Sequence, residues 1–154
     1  MEVKRHAATK TKQTDLMTHS AQAILTDIYD AWRAQSLDWL ATYLPDDFYI
    51  PLEMHPLGGT TNGNNAAIER LGLIFQQFDT QKLETGQITA EPSGATIEVR
   101  TRCRHRPSGV WLETTKSNIW TLEDGWPVRL DEHYDLSRFQ AFMKSAQDRL
   151  SPNA

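Results

Sequence analysis

At 154 residues, with 39% hydrophobic and 23% charged residues, the chain has the size and composition of one globular domain with a core. A net charge of −4 argues against nucleic acid as the main partner, because phosphate binding needs a basic surface, and no run approaches the ~20 apolar residues that span a bilayer. The single cysteine, Cys103, excludes an internal disulfide and a thiolate metal cluster, and fits a reducing, cytoplasmic setting.

The first residues are basic and rich in threonine, and they lack the apolar stretch of a secretory signal. Residues 1–19 are expected to form a solvated, poorly ordered tail, 20–145 the folded domain, and 146–154 a C-terminal tail. From Ser20, a plausible N-cap, Ala21, Ile24, Leu25, Ile28, Tyr29 and Trp32 recur at helical spacing. A break at 34–36 leads into a second helix with Leu37, Leu40, Ala41 and Leu44 on one side, closed by Pro45. A short strand follows at Phe48–Leu52. The stretch His55–Asn65, with three glycines and a proline, reads as a loop. Asn64 or Asn65 can cap a third helix whose stripe is Ala67, Ile68, Leu71, Ile74, Phe75 and Phe78.

After Thr80 the period changes to two. Strands are predicted near Thr85–Ala90, Ala95–His105, Val110–Leu122 and Trp126–Tyr134, joined by turns at 92–94, 107–109 and 123–125. A final helix carries Phe139, Phe142, Met143 and Ala146 on one face, with Ser137 and Gln140 at capping-box spacing. The expected fold class is α+β: three N-terminal helices packed in a strongly curved antiparallel meander, a cone, plus a C-terminal helix. Such a cone is hard to fill completely, so a small-molecule pocket is expected inside it.

Several residues could serve that pocket. Asp131, His133 and Asp135 alternate along one face of the last strand, and a carboxylate beside an imidazole suits proton transfer. The opposite face carries Val128, Leu130 and Tyr134 in apolar terms, with Glu132 among them, and either face can line the pocket. Lys116, Asn118 and Trp120 share a face of the preceding strand, where Asn118 could donate to an oxyanion. Glu53 and His55 form a base-capable pair in the glycine-rich loop. Tyr49, Trp32 and Trp120 would shape the walls, while the helical pair Tyr29 and Trp32 reads first as core, on a helix that can also line the pocket. Arg100, Arg102, Arg104 and Arg106 read as an outer, salt-bridged face. The five histidines make no paired helical motif, so no metal is expected.

The run "IYDAWRAQSLDWLATYLPDDFYI", followed far downstream by "LEDGWPVRLDEHYDLSRF", resembles the nuclear transport factor 2-like superfamily, in its SnoaL-like and ketosteroid isomerase-like branch. The resemblance spans about Ser20 to Met143. It implies a pocket protein that associates as a homodimer through its sheet, and an isomerase, cyclase or lyase type of chemistry. The steroid-isomerase positions depart from pattern: Leu52 stands at the base, Asn118 at the oxyanion acid, and Ile28 near the tyrosine. The sequence therefore implies a cofactor-independent enzyme of SnoaL or isomerase type, handling protons on a small carbonyl compound. The alternative is a non-catalytic ligand-binding or dimerisation module of the same fold.

Overall fold

The computed structural model describes residues 10–50 and 61–151. Its elements are four helices and six strands: α1 (Lys10–Arg33), α2 (Leu37–Tyr43), β1 (Tyr49–Ile50), β2 (Thr61–Asn62), α3 (Asn64–Gln77), β3 (Phe78–Thr85), β4 (Gly94–His105), β5 (Trp111–Glu123), β6 (Trp126–His133) and α4 (Leu136–Leu150). The sheet runs in the order β2-β1-β6-β5-β4-β3. The strands β3 to β6 pair antiparallel as successive neighbours, and β1 joins β6 in parallel at Tyr49 and Arg129. Among the described residues, no helix is long and apolar enough to cross a membrane.

The helical stripes read from the sequence are the buried ones. Ala21, Leu25, Ile28 and Tyr29 of α1 join Leu40 of α2, and Ala67, Leu71 and Phe75 of α3, in one cluster with Ile97, Val99, Trp120 and Leu130 of the sheet. The core therefore lies between α1–α3 and one sheet face. α1 starts before Ser20, because the stretch from Lys10 to His19 holds no proline or glycine to stop a helix. Its end matches the expected break: Gln35 takes a left-handed φ of 53°, and Ser36 caps α2 by accepting a hydrogen bond from the Trp39 amide.

Four details differ from the sequence reading. The cap of α3 is Gly63, and Asn64 instead donates to the carbonyls of Ala41 and Leu44, tying α3 to the end of α2. Thr61–Asn62, read as loop, pairs antiparallel with β1. The third strand begins at Phe78 directly out of α3 and ends at Thr85, rather than spanning Thr85–Ala90. Its alternation is broken by a register shift between Thr80 and Lys82, which hides the two-residue period. Finally, α4 is capped by Asp135, whose carboxylate accepts from the Arg138 amide at 3.0 Å, and the helix runs on to Leu150.

The four arginines do occupy the outer face: Arg100 lies 3.6 Å from Glu98, and Arg106 lies 3.9 Å from Asp79. Arg102 sits over the exposed ring of Trp111. Helix α4 docks through Phe142, which is buried against Phe78 and His105. His105 Nδ1 lies 2.7 Å from Ser108 Oγ, and that oxygen already accepts from the Val110 amide. The Ser108 hydroxyl keeps both its own proton and a second lone pair, so it can partner Nδ1 in either ring tautomer.

Burial holds the His105 pKa below its ordinary value of 6.5. The unfolded chain then binds this proton more readily than the folded one, so the stabilisation is present above the ordinary histidine range and is lost as pH falls through it. The melting temperature is expected to drop between pH 7.5 and 5.5. His105→Leu should flatten that slope, and an unchanged slope would locate the acid sensitivity elsewhere.

Candidate functional site

The inner face of β5 presents Leu112, Thr114, Lys116, Asn118, Trp120 and Leu122, because alternate side chains of a strand share a face. Next to it, β6 turns Leu130 and Glu132 to the same side, in register with Trp120 and Asn118. These strands, with Thr80 of β3 and Thr101 and Cys103 of β4, form one side of a cavity of about 140 Å³. Trp32 of α1, Leu71 and Ile74 of α3 and Phe139 of α4 close the other side. The walls are largely hydrocarbon, with the charged side chains of Arg70, Lys116 and Glu132 among them.

Lys116 and Glu132 form the ionic centre of this wall. Lys116 Nζ lies 2.5 Å from Glu132 Oε2, with side-chain exposures of 20% and 12%. The ammonium also stands 5.4 Å from the centroid of the Trp32 ring, whose π-face attracts a cation. Such a half-buried pair meets little solvent screening, so it interacts strongly with any ligand dipole in the cavity. Tyr134, at the end of β6, lines the same space, and its phenol pKa is raised by burial and then by the Glu132 charge. The Cys103 thiol is pushed up to about 11 by burial, which the Lys116 charge only partly opposes. It stays protonated at neutral pH and is no nucleophile.

Behind this wall lies a second polar cluster. Tyr29 Oη accepts hydrogen bonds from Asn118 Nδ2 at 2.8 Å and from Trp120 Nε1 at 3.0 Å. All three side chains are essentially buried, and the Tyr29 and Trp120 rings meet edge to face. Burial is the largest cause of a Tyr29 pKa near 12, opposed by the two donors. Among the described residues, Asn118 Oδ1 accepts no hydrogen bond.

The sequence-predicted residues divide accordingly. Lys116 and Trp32 line the cavity. Asn118 and Trp120 share a strand face as read from the sequence, and Tyr29 joins them, but all three lie in the core rather than at the cavity surface. Asp131 and His133 point the other way, and this is a correction: Leu130 is fully buried, so alternation sends both to the outer face. There Asp131 accepts two hydrogen bonds from Arg129, and His133 is exposed. Glu53 and His55 lie outside the described residues, and so does the side chain of Tyr49, whose backbone forms β1.

Glu132 and Arg70 were not singled out from the sequence. Glu132 carried a signal in its place between Leu130 and Tyr134, two apolar residues of one face. Arg70 carried one in its position four residues before Ile74, within the apolar stripe of α3. No three His, Cys, Asp or Glu side chains among the described residues gather as a metal site would require.

The sequence profile of the SnoaL-like domain matches residues 25–130. Curated proteins give no match. Among solved structures, an NTF2-like protein from Burkholderia thailandensis superposes with a TM-score of 0.70 at 14% identity, over 80% of this chain and 96% of that one. An LEH-like epoxide hydrolase of M. tuberculosis gives 0.68 at 13% identity, over 88% and 98%. TerC, co-crystallised with polyporic acid, gives 0.69 at 17%, over 81% and 98%. Identities this low speak to the fold alone.

Proposed function

The chain belongs to the SnoaL-like domain family, and from that premise we propose that it is a cofactor-independent enzyme doing acid–base chemistry on a small carbonyl compound. The observation that carries this reading is the Lys116–Glu132 pair set in the wall of a mostly apolar cavity. A carbonyl oxygen placed beside Lys116 Nζ draws the ammonium away from Glu132. The freed carboxylate then takes a proton from the carbon next to the carbonyl, while Lys116 stabilises the enolate oxygen. Tyr134 and Trp32 shape the space around that carbon. Solved relatives of the same fold include an epoxide hydrolase and a protein that holds polyporic acid, which supports a small-molecule occupant.

A binding module without turnover is the second reading, favoured by the same pair, since the Glu132 carboxylate is already engaged by Lys116 with no ligand beside it. The cavity as the interior of a cone, a homodimer through the outer sheet face and a cytoplasmic setting belong to either reading.

Proton exchange separates the two. Small ketones and aldehydes incubated with the protein in D2O should lose their α-proton NMR signals at a catalysed rate. Glu132→Gln is expected to cut that rate by about 10²-fold or more, and His133→Gln to leave it unchanged. Exchange that survives Glu132→Gln at full rate would end the enzymatic role given to this carboxylate.

A further inference from the structure

The two sides of the cavity differ in chemistry. Toward α1, α3 and α4 the wall carries Trp32, Leu71, Ile74 and Phe139, with Arg70 of α3 as its one charged side chain among the described residues. Toward the sheet it carries Thr80, Thr101 and Thr114, next to Lys116 and Glu132. Thr101 and Thr114 are direct partners across β4 and β5, and Thr80 pairs with Cys103, two residues along β4 from Thr101. Threonine suits a strand for its branched Cβ, so one such residue would mean little. Three together, half-buried and turned to one cavity, mean more, because valine fills the same space without an oxygen to desolvate. Further along the same inner face, β4 uses Val99 and Ile97, both fully buried. Among the described residues, no side chain or backbone group shares a hydrogen bond with these three hydroxyls.

The geometry points to a ligand with two edges: at least two hydroxyl or carbonyl oxygens toward the threonines, and a hydrocarbon flank against Trp32, Leu71, Ile74 and Phe139. Directly opposed residues on adjacent strands stand about 5 Å apart at Cβ, a spacing met by meta oxygens on a six-membered ring better than by ortho ones. The cavity limits its size. A volume of about 140 Å³ is close to the ~150 Å³ that admits benzene, so a single ring with short substituents fits and a fused polycycle does not. This inference names the ligand class of the site in the proposed function, and it needs only binding, not turnover.

Calorimetric titration with toluene, phenol and resorcinol tests it, on wild type, on the double variant Thr101→Val/Thr114→Val and on His133→Gln. Wild type should bind resorcinol about tenfold more tightly than phenol, one net hydrogen bond's worth. The threonine double variant should bind the two equally and keep its affinity for toluene, which also shows that its cavity remains intact. His133→Gln, a change on the outer face, should keep the resorcinol preference. Equal binding of resorcinol and phenol by wild type, a preference that survives loss of both threonines, or no binding of any of the three would overturn the inference. A resorcinol preference without α-proton exchange on any carbonyl compound would leave the inference standing while the enzymatic reading failed.

Discussion

Tyr29→Phe is expected to destabilise the protein by about 3 kcal/mol, although it removes a single oxygen from a ring that keeps its packing. The phenol oxygen is the acceptor for both the Asn118 amide and the Trp120 indole N–H. Phenylalanine leaves two donors in the core, with exposures of 1% for Asn118 and 2% for Trp120, where water cannot replace the lost partner. An orphaned neutral donor costs about 1–3 kcal/mol, so two give the stated figure. The pair bridges α1 to β5 over some ninety residues of sequence, so no local rearrangement can recover both bonds. Urea titration should show a lower midpoint at an unchanged slope, since the unfolded state gains no exposed surface. Tyr43→Phe is the control: its hydroxyl donates to the exposed Asp27, and its loss should cost under about 0.5 kcal/mol. Equal, small shifts in both variants would remove the buried hub from the account.

The same cluster explains how far the sequence could be read. Tyr29 could be placed on a helical stripe, and Asn118 and Trp120 on one strand face, because each of those placements depends only on local periodicity. Which of them would face a cavity depends on how the helices sit on the sheet, and that is a property of packing rather than of period. Aromatic volume decided it. Tyr29, Phe48 and Trp120 fill the space between α1 and the strands, so the Asn118 and Trp120 donors turn to the Tyr29 oxygen instead of a ligand.

The β4–β6 meander was legible because each strand alternates over eight or more residues and the turns carry their own chemistry. Asp124 and Gly125 both take a positive φ, as a tight hairpin turn demands. β3 was not legible, because Phe78 completes a helical stripe in the sequence while it begins a strand in the fold, and a bulge then breaks the alternation.

On β6, chemistry and hydrophobicity pointed to opposite faces. Asp131, His133 and Asp135 offered proton-handling groups, whereas Leu130 and Tyr134 offered burial. Burying a leucine is worth about 2 kcal/mol and an exposed imidazole loses nothing, so Leu130 set the register. Glu132 went inward with it and is tolerated there because Lys116 is beside it. Asp135 has a different use, as the cap of α4.

That dependence of Glu132 on Lys116 gives the second large effect, and its sign pattern is specific. Lys116→Met is expected to cost about 2–3 kcal/mol at pH 7, because it leaves a carboxylate of 12% exposure facing hydrocarbon and without its cation. Glu132→Gln should cost less, about 1 kcal/mol. The remaining ammonium keeps its contact with the Trp32 ring, and its four-carbon stem lets it turn toward solvent. The double variant Lys116→Met/Glu132→Gln should be more stable than Lys116→Met alone, since the charge that made the single variant costly is gone. The coupling read from the full cycle of urea midpoints should then be about 1–2 kcal/mol. Additive costs, with no recovery in the double variant, would mean that the two side chains do not depend on each other for burial. The acid–base role given to Glu132 would then lose its electrostatic basis, because a carboxylate indifferent to its lysine could not be released by a substrate that draws the lysine away.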